Sequence, residues 1–198
     1  PFRRSELVHA RSSVTLSRDG HETRLVYGEF TMCGDALRAQ STVSAPVVFV
    51  GHGVTAPEFD HDDYKDVDVR GKIVVTVRGA PPKFSNDERA YYSWSYMKNK
   101  TAVEHGAIGT ITLRNRHDEN MGRWERSVRQ SKLPRFEWLE QGGEPHHVFP
   151  ELLGAVTLSH ASAEKLFDAL AAMDPRASAL VTSRPARSMI RVSTRTFA

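Results

Sequence analysis

The chain has 198 residues, 39% hydrophobic and 26% charged, a length that fits one domain and a composition that excludes disordered and fibrous classes. Its 27 Lys and Arg stand against 24 Asp and Glu, too small a surplus to imply nucleic acid without clustering. The single Cys33 excludes an internal disulfide and a multi-cysteine zinc site, and the longest purely apolar run, Ala45 to Val50, is far short of the roughly 20 residues of a membrane helix.

In chain order, Val14 to Ser17, Asp19-Gly20 and Glu22 to Val26 predict a hairpin, because Asp-Gly accepts the positive φ of a tight turn. Cys33 to Ser44 reads as a small, polar connecting loop. Pro46 then opens Val47 to Val50, whose β-branched, continuous apolar character suits a strand buried on both faces; Gly51 and Gly53 stop it. Val54 to Arg70 holds Pro57 and five aspartates, Asp60, Asp62, Asp63, Asp66 and Asp68, and predicts a polar loop with local Asx turns. Lys72 to Arg78 is the second strong strand, closed by Gly79 and Pro81-Pro82.

A helix is predicted over Ser93 to His105, with Trp94, Met97, Thr101 and His105 as its core stripe and Gly106 as its stop. Ala107 to Leu113 is the third strand, so Lys72 to Leu113 forms a strand, helix, strand unit that permits parallel pairing. Arg114 to Pro150 has no clear period and reads as a long loop, of the kind that carries a function or faces a partner. Within it Arg114, Arg116, Arg123, Arg126, Arg129, Lys132 and Arg135 surround Trp124, opposed only by Asp118, Glu119 and Glu125. Ala155 to Leu158 is a short strand. Ser159 caps a helix carrying Leu166, Phe167 and Leu170 up to Pro175, and Ile190, Val192 and Thr194 alternate with Arg191, Ser193 and Arg195 in a last strand with one exposed face.

No catalytic or metal-binding set is expected. His61 and Asp63 spell His-x-Asp, but in a solvated loop, and a two-zinc site needs several such ligands and an open position. His146 and His147 are neighbours on what reads as extended backbone, where side chains point to opposite faces. The five aspartates lack calcium-loop spacing. Ser162 to Lys165 spells Ser-x-x-Lys without companion motifs, Cys33 has no base partner, and Gly51-His52-Gly53 lacks a third glycine and a following helix. Two rival readings remain. One is a stand-alone metal-dependent hydrolase using His61, Asp63 and His146 on one metal. The other is a polyanion or nucleic-acid binder through Arg114 to Arg135, where Arg and Trp together would meet phosphates and bases.

The run Val48-Phe49-Val50-Gly51-His52-Gly53-Val54-Thr55-Ala56-Pro57-Glu58, then Asp62-Asp63-Tyr64, then Asp68-Val69-Arg70-Gly71-Lys72-Ile73-Val74-Val75, strongly resembles the protease-associated (PA) domain of bacterial di-zinc aminopeptidases. Arg78 to Pro82, Ser85 to Ala90, Lys98, Ala102 and Gly106 to Gly109 continue the likeness in the same order. It runs from about Ala45 to about Met173; His52 and His61 stand where aromatic residues are common. The resemblance implies one PA domain over residues 1–198, excised from a larger peptidase. Its fold would be mixed α+β, mainly β, with a barrel or sandwich core and flanking helices. Zinc and catalysis would belong to the parent peptidase domain of the same polypeptide, and this module would shape substrate access or bind peptide or protein segments, in the periplasm or outside the cell. No cofactor, nucleic acid or membrane span is expected in this chain. Contact with peptide or partner is expected from the loops at 81–92 and 114–150 and their borders, through Arg78, Tyr91, Tyr92, Arg123, Trp124, Arg126 and Trp138.

Overall fold

The computed structural model describes residues 1–18, 21–33, 35–171 and 189–197. Four apolar segments form a parallel unit: β5 (Gln40–Phe49), β8 (Ile73–Val77), β9 (Gly109–Leu113) and β11 (Ala155–Leu158), paired in that order. Four of the five β8 residues are buried, as expected for a strand covered on both faces. The first part of β5 pairs antiparallel with β12 (Met189–Phe197), and its last three residues pair parallel with β8. Pro46, which has no N–H to give, sits at the changeover.

The antiparallel part is built on β12. On one side it pairs with β5; on the other with β1 (Phe2–Leu7) and β2 (Ser13–Arg18), two strands separated by a 3-10 turn at His9–Arg11. Beyond them lie β3 (His21–Leu25), paired with β2, and β10 (Arg135–Trp138), paired with β1; β4 (Phe30–Met32) closes the other edge against β11. The strand path therefore runs from β10 to β4. The segments that lead into these two edges meet, because Tyr27 OH donates to Ser131 Oγ at 2.7 Å and Trp124 Nε1 donates to the Gly28 carbonyl at 2.8 Å. The curled sheet encloses the main core, which includes Leu16, Phe30, Val43, Ile73, Ile111, Leu158 and Ile190. Around it lie α1 (Asn86–Tyr92), α2 (Ser95–Glu104), α3 (Arg116–Asn120) and α4 (Arg123–Gln130), and a two-stranded ladder of β6 (Thr55–Ala56) and β7 (His61–Asp62), while α5 (His160–Ala171) contributes Ala163 and Leu166 to the core. The fold is mixed and mainly β, as expected.

The hairpin forms as β2 and β3, with its Asp19-Gly20 turn outside the described residues. Asx turns form at Asp62, which accepts from Tyr64 N at 2.9 Å, and at Asp68, which accepts from Arg70 N at 3.2 Å. Other expectations change. Gln40 to Ser44 is strand, not loop: Ser41 and Val43 are buried while Gln40, Thr42 and Ser44 are exposed, so the period-two pattern starts earlier in polar residues. The 81–92 loop contains α1, started by a reciprocal cap in which Ser85 N donates to Glu88 Oε2 at 2.7 Å and Glu88 N approaches Ser85 Oγ. The 114–150 span holds α3, α4 and β10. Along α2 the buried positions are Lys98 and Ala102, whereas Trp94 is the exposed N-cap rather than core. Ser159 caps α5 through Ser162 N at 3.1 Å; the side chains of Phe167 and Leu170, and Pro175, lie outside the described residues. Ile190 and Val192 are buried and Arg191 exposed, as the alternation predicts.

Candidate functional site

Parallel strands place their carboxyl ends on one side, and ligands of such sheets bind there. In this chain β8 is followed by Arg78 and β9 by Arg114. Val77 and Leu113 are paired in register, Arg78 N donates to the Leu113 carbonyl at 2.9 Å, and Arg114 N donates to the Leu158 carbonyl at 3.0 Å. Both arginines line a cavity of about 530 Å³ over the outer face of the sheet. Alternation sends Phe30, Ile111, Leu113 and Leu158 into the core, and sends Thr31, Thr110, Thr112 and Thr157 to the cavity floor. One wall is Trp94, Lys98 and Asn99, and Thr110 Oγ1 donates to Asn99 Oδ1 at 3.0 Å. The lining also includes Arg135 and Glu137 of β10, an ion pair at 2.8 Å. Arg38, paired with Asp35 at 3.2 Å, and Arg114, which donates to Ser127 Oγ at 2.5 Å, complete the charged lining. Among the described residues the charged lining includes Arg38, Arg78, Lys98, Arg114 and Arg135 with Asp35 and Glu137.

Aromatic rings crowd one margin. His147 lies 4.2 Å from Tyr96 and 5.3 Å from Trp94 between ring centres, Phe149 lies 5.2 Å from Tyr96, and Trp138 stacks on His146 at 4.3 Å. The His146 and His147 rings are only 3.7 Å apart, although opposite faces were expected. His147 adopts φ +58°, so the backbone is left-handed rather than extended and the alternation rule does not apply there. His146 Nδ1 contacts Glu140 Oε1.

Behind the cavity wall, Lys98 is only 6% exposed. Its Nζ donates to the carbonyls of His52 at 2.6 Å and Val77 at 2.9 Å, tying α2 to the ends of β5 and β8. Burial pushes its pKa from 10.5 down to about 8; nearby Asp63 opposes the shift and Arg78 adds to it. Burial, and then the Lys98 charge, also lowers His52. Asp63 Oδ2 accepts from Val54 N at 3.0 Å, and its Oδ1 lies 3.1 Å from His61 Nε2. Gly53 makes the turn possible, since its φ is +68° and an added Cβ would stand 2.6 Å from Thr76 Cγ2. The role of Lys98 was not readable from composition or spacing. Its one sequence signal is the Lys98, Ala102 spacing of four on the helix, a buried stripe with a small partner.

Of the residues singled out in sequence, Arg78 lines the cavity and Trp138, 52% exposed, stands on its aromatic margin. Tyr91, 51% exposed, and Tyr92 end α1; the Tyr92 hydroxyl donates to Glu58 Oε1 at 2.5 Å and its ring packs against Phe84. Arg123 and Arg126 lie on α4, which Trp124, 8% exposed, anchors through its bond to Gly28. Among the described residues no three His, Cys, Asp or Glu side chains converge as a metal set, so His61, Asp63 and His146 are not assembled on one ion. Among the same residues no helix is long and apolar enough to cross a membrane.

No family model and no curated protein matches the chain. Among solved structures it is similar to an aminopeptidase from Aneurinibacillus sp. strain AM-1, at 15% identity and TM-score 0.44, over 100% of this chain and 35% of that one. It is also similar to BSAP, a zinc aminopeptidase from Bacillus subtilis, at 14% identity and TM-score 0.40, over 100% of this chain and 33% of that one. A second, medium-resolution structure of BSAP gives 14% identity and TM-score 0.43, over 100% of this chain and 34% of that one. The chain spans about a third of the length of these aminopeptidases.

Proposed function

We propose that this chain is a non-catalytic PA domain of a larger zinc aminopeptidase, exported to the periplasm or cell exterior, where it shapes substrate access or holds peptide segments. The observation that carries the reading is how the PA-like motif folds. Val48 to Glu58, Asp62 to Tyr64 and Asp68 to Val75 become β5, the glycine turn, the β6–β7 ladder and β8, interlocked by Asp63 and Lys98. The motif thus anchors α2, whose Trp94, Lys98 and Asn99 line an open, charged cleft. In addition, β1 and β12 are antiparallel neighbours, Glu6 against Phe197. Zinc and bond cleavage then belong to the host, and Arg78, Trp138, Tyr91, Tyr92 and the α4 face with Arg123, Trp124 and Arg126 are assigned to peptide or host contact.

The test is to incubate the isolated chain with zinc and an aminoacyl nitroanilide. No release above the buffer rate is expected. Zinc-dependent turnover that H61A or D63A abolishes would show an enzyme in its own right and end this reading.

A further inference from the structure

We infer that the free edge of β3 is a self-pairing surface, at which two copies of this chain join their sheets antiparallel about a two-fold axis at Thr23. This pairing does not depend on the PA reading. Among the described residues β3 pairs only with β2, and four of its five residues, His21 to Arg24, are exposed. An edge strand presents a row of unpaired N–H and C=O groups, which natural proteins guard with lysine, proline or a bulge. The run from His21 to Leu25 holds neither lysine nor proline.

The hairpin register decides which backbone groups face that edge. Arg18 pairs with His21, and in a hairpin with a two-residue connection the flanking pair exchanges both backbone hydrogen bonds. Alternation then turns the N–H and C=O of His21, Thr23 and Leu25 toward β2, and those of Glu22 and Arg24 outward. Val26, next in the outward series, agrees: its N–H donates to Glu29 Oε2 at 2.8 Å and its carbonyl accepts from Glu29 N at 3.0 Å.

A second copy laid antiparallel with Thr23 opposite Thr23 brings Glu22 opposite Arg24 twice over. Both are outward residues, so each of these pairs exchanges two backbone hydrogen bonds, with the two threonines as the non-hydrogen-bonded pair between them. A carboxylate then meets a guanidinium directly across the strands, which is favourable, and the two ion pairs are identical, as a two-fold interface requires. Within the hairpin Glu22 stands opposite Ser17 and Arg24 opposite Thr15, so neither meets a counter-charge across β2. The charges also select the register. A shift of two residues sets Glu22 against Glu22 or Arg24 against Arg24, and like charges directly opposite are destabilising; a shift of one sets outward groups against inward ones.

Sedimentation equilibrium of the whole chain up to about 1 mM tests the pairing. So short a strand pair makes a weak interface, and a monomer–dimer equilibrium with Kd on the order of 100 μM is expected. E22R and R24E each set like charges opposite one another and should weaken it at least about tenfold. The double variant E22R/R24E restores both ion pairs with their signs exchanged and should return to within about threefold of wild type. A second readout fixes the register: in a C33S background, T23C places two thiols at a non-hydrogen-bonded pair, about 4.5 Å apart at Cα and within disulfide reach. Diamide should convert T23C to a covalent dimer on a non-reducing gel at least about tenfold faster than H21C, whose opposite number is Leu25. Thermal melts by circular dichroism confirm that each variant is folded.

A chain that stays monomeric at about 1 mM overturns the inference and leaves this edge to a strand of another protein. Association that survives both single charge reversals, or that the double variant does not regain, overturns it as well. Crosslinking of H21C as fast as T23C overturns the two-fold at Thr23.

Discussion

Lys98 holds an ammonium among backbone carbonyls, with two short hydrogen bonds and almost no water. Its folded pKa of about 8 lies below the ordinary 10.5, and the sign of the pH dependence follows. Below pH 8 both folded and unfolded chains carry the proton, and the burial penalty is fully present. Between pH 8 and 10.5 the unfolded chain binds more protons, so stability rises with pH. Tyr64, pushed well above its ordinary 10.0 by burial and then by Asp63, acts in the opposite sense above pH 10. The rise therefore shows between pH 8 and 10. We expect wild type to gain on the order of 2 kcal/mol relative to K98M across that window, measured as the difference between urea-unfolding free energies of the two proteins. Parallel curves would mean that Lys98 titrates normally. The family likeness includes Lys98, but composition and spacing do not show its burial, because that depends on the carbonyls of His52 and Val77, which are distant in the chain.

At the scale of elements, legibility followed apolar burial. The strands at 73–77 and 109–113 bury four of their five residues each, and with 47–50 they were plain in sequence as β-branched runs between glycines and prolines. The helices that bury little were not. No α1 residue is buried and α4 buries only Trp124, so neither carries an apolar period, although Ser85-Asn86-Asp87-Glu88 spelled a capping box. That cap makes a prediction at this scale: S85A should cost about 1 kcal/mol in urea unfolding, since the Glu88 N–H of the first turn loses its side-chain acceptor, Ser85 Oγ. S85D, which keeps an acceptor at the N-cap, should recover most of the loss. An S85A protein as stable as wild type would mean that α1 does not depend on its cap.

At the scale of the molecule, β12 joins the two halves of the sheet. It pairs with β1, β2 and β5, and Val192, 2% exposed, lies in the main core beside Val43. V192D would bury an unpaired carboxylate where no partner can reach it, and such changes cost more than about 4 kcal/mol. The expected result is loss of cooperative unfolding in circular dichroism, while R191D, one residue away on the exposed face, should stay within about 0.5 kcal/mol of wild type.

The local pattern of residues determined which segments become strands, where turns and caps fall, and that the fold is mixed and mainly β, because these depend on neighbours a few residues apart. Tertiary structure alone decided that Arg78, Arg114 and Arg135 share one cleft, that Lys98 is buried and that two histidine rings meet. Each of these depends on strand register, sheet curling or a left-handed backbone angle, which bring together residues whose separation along the chain carries no period.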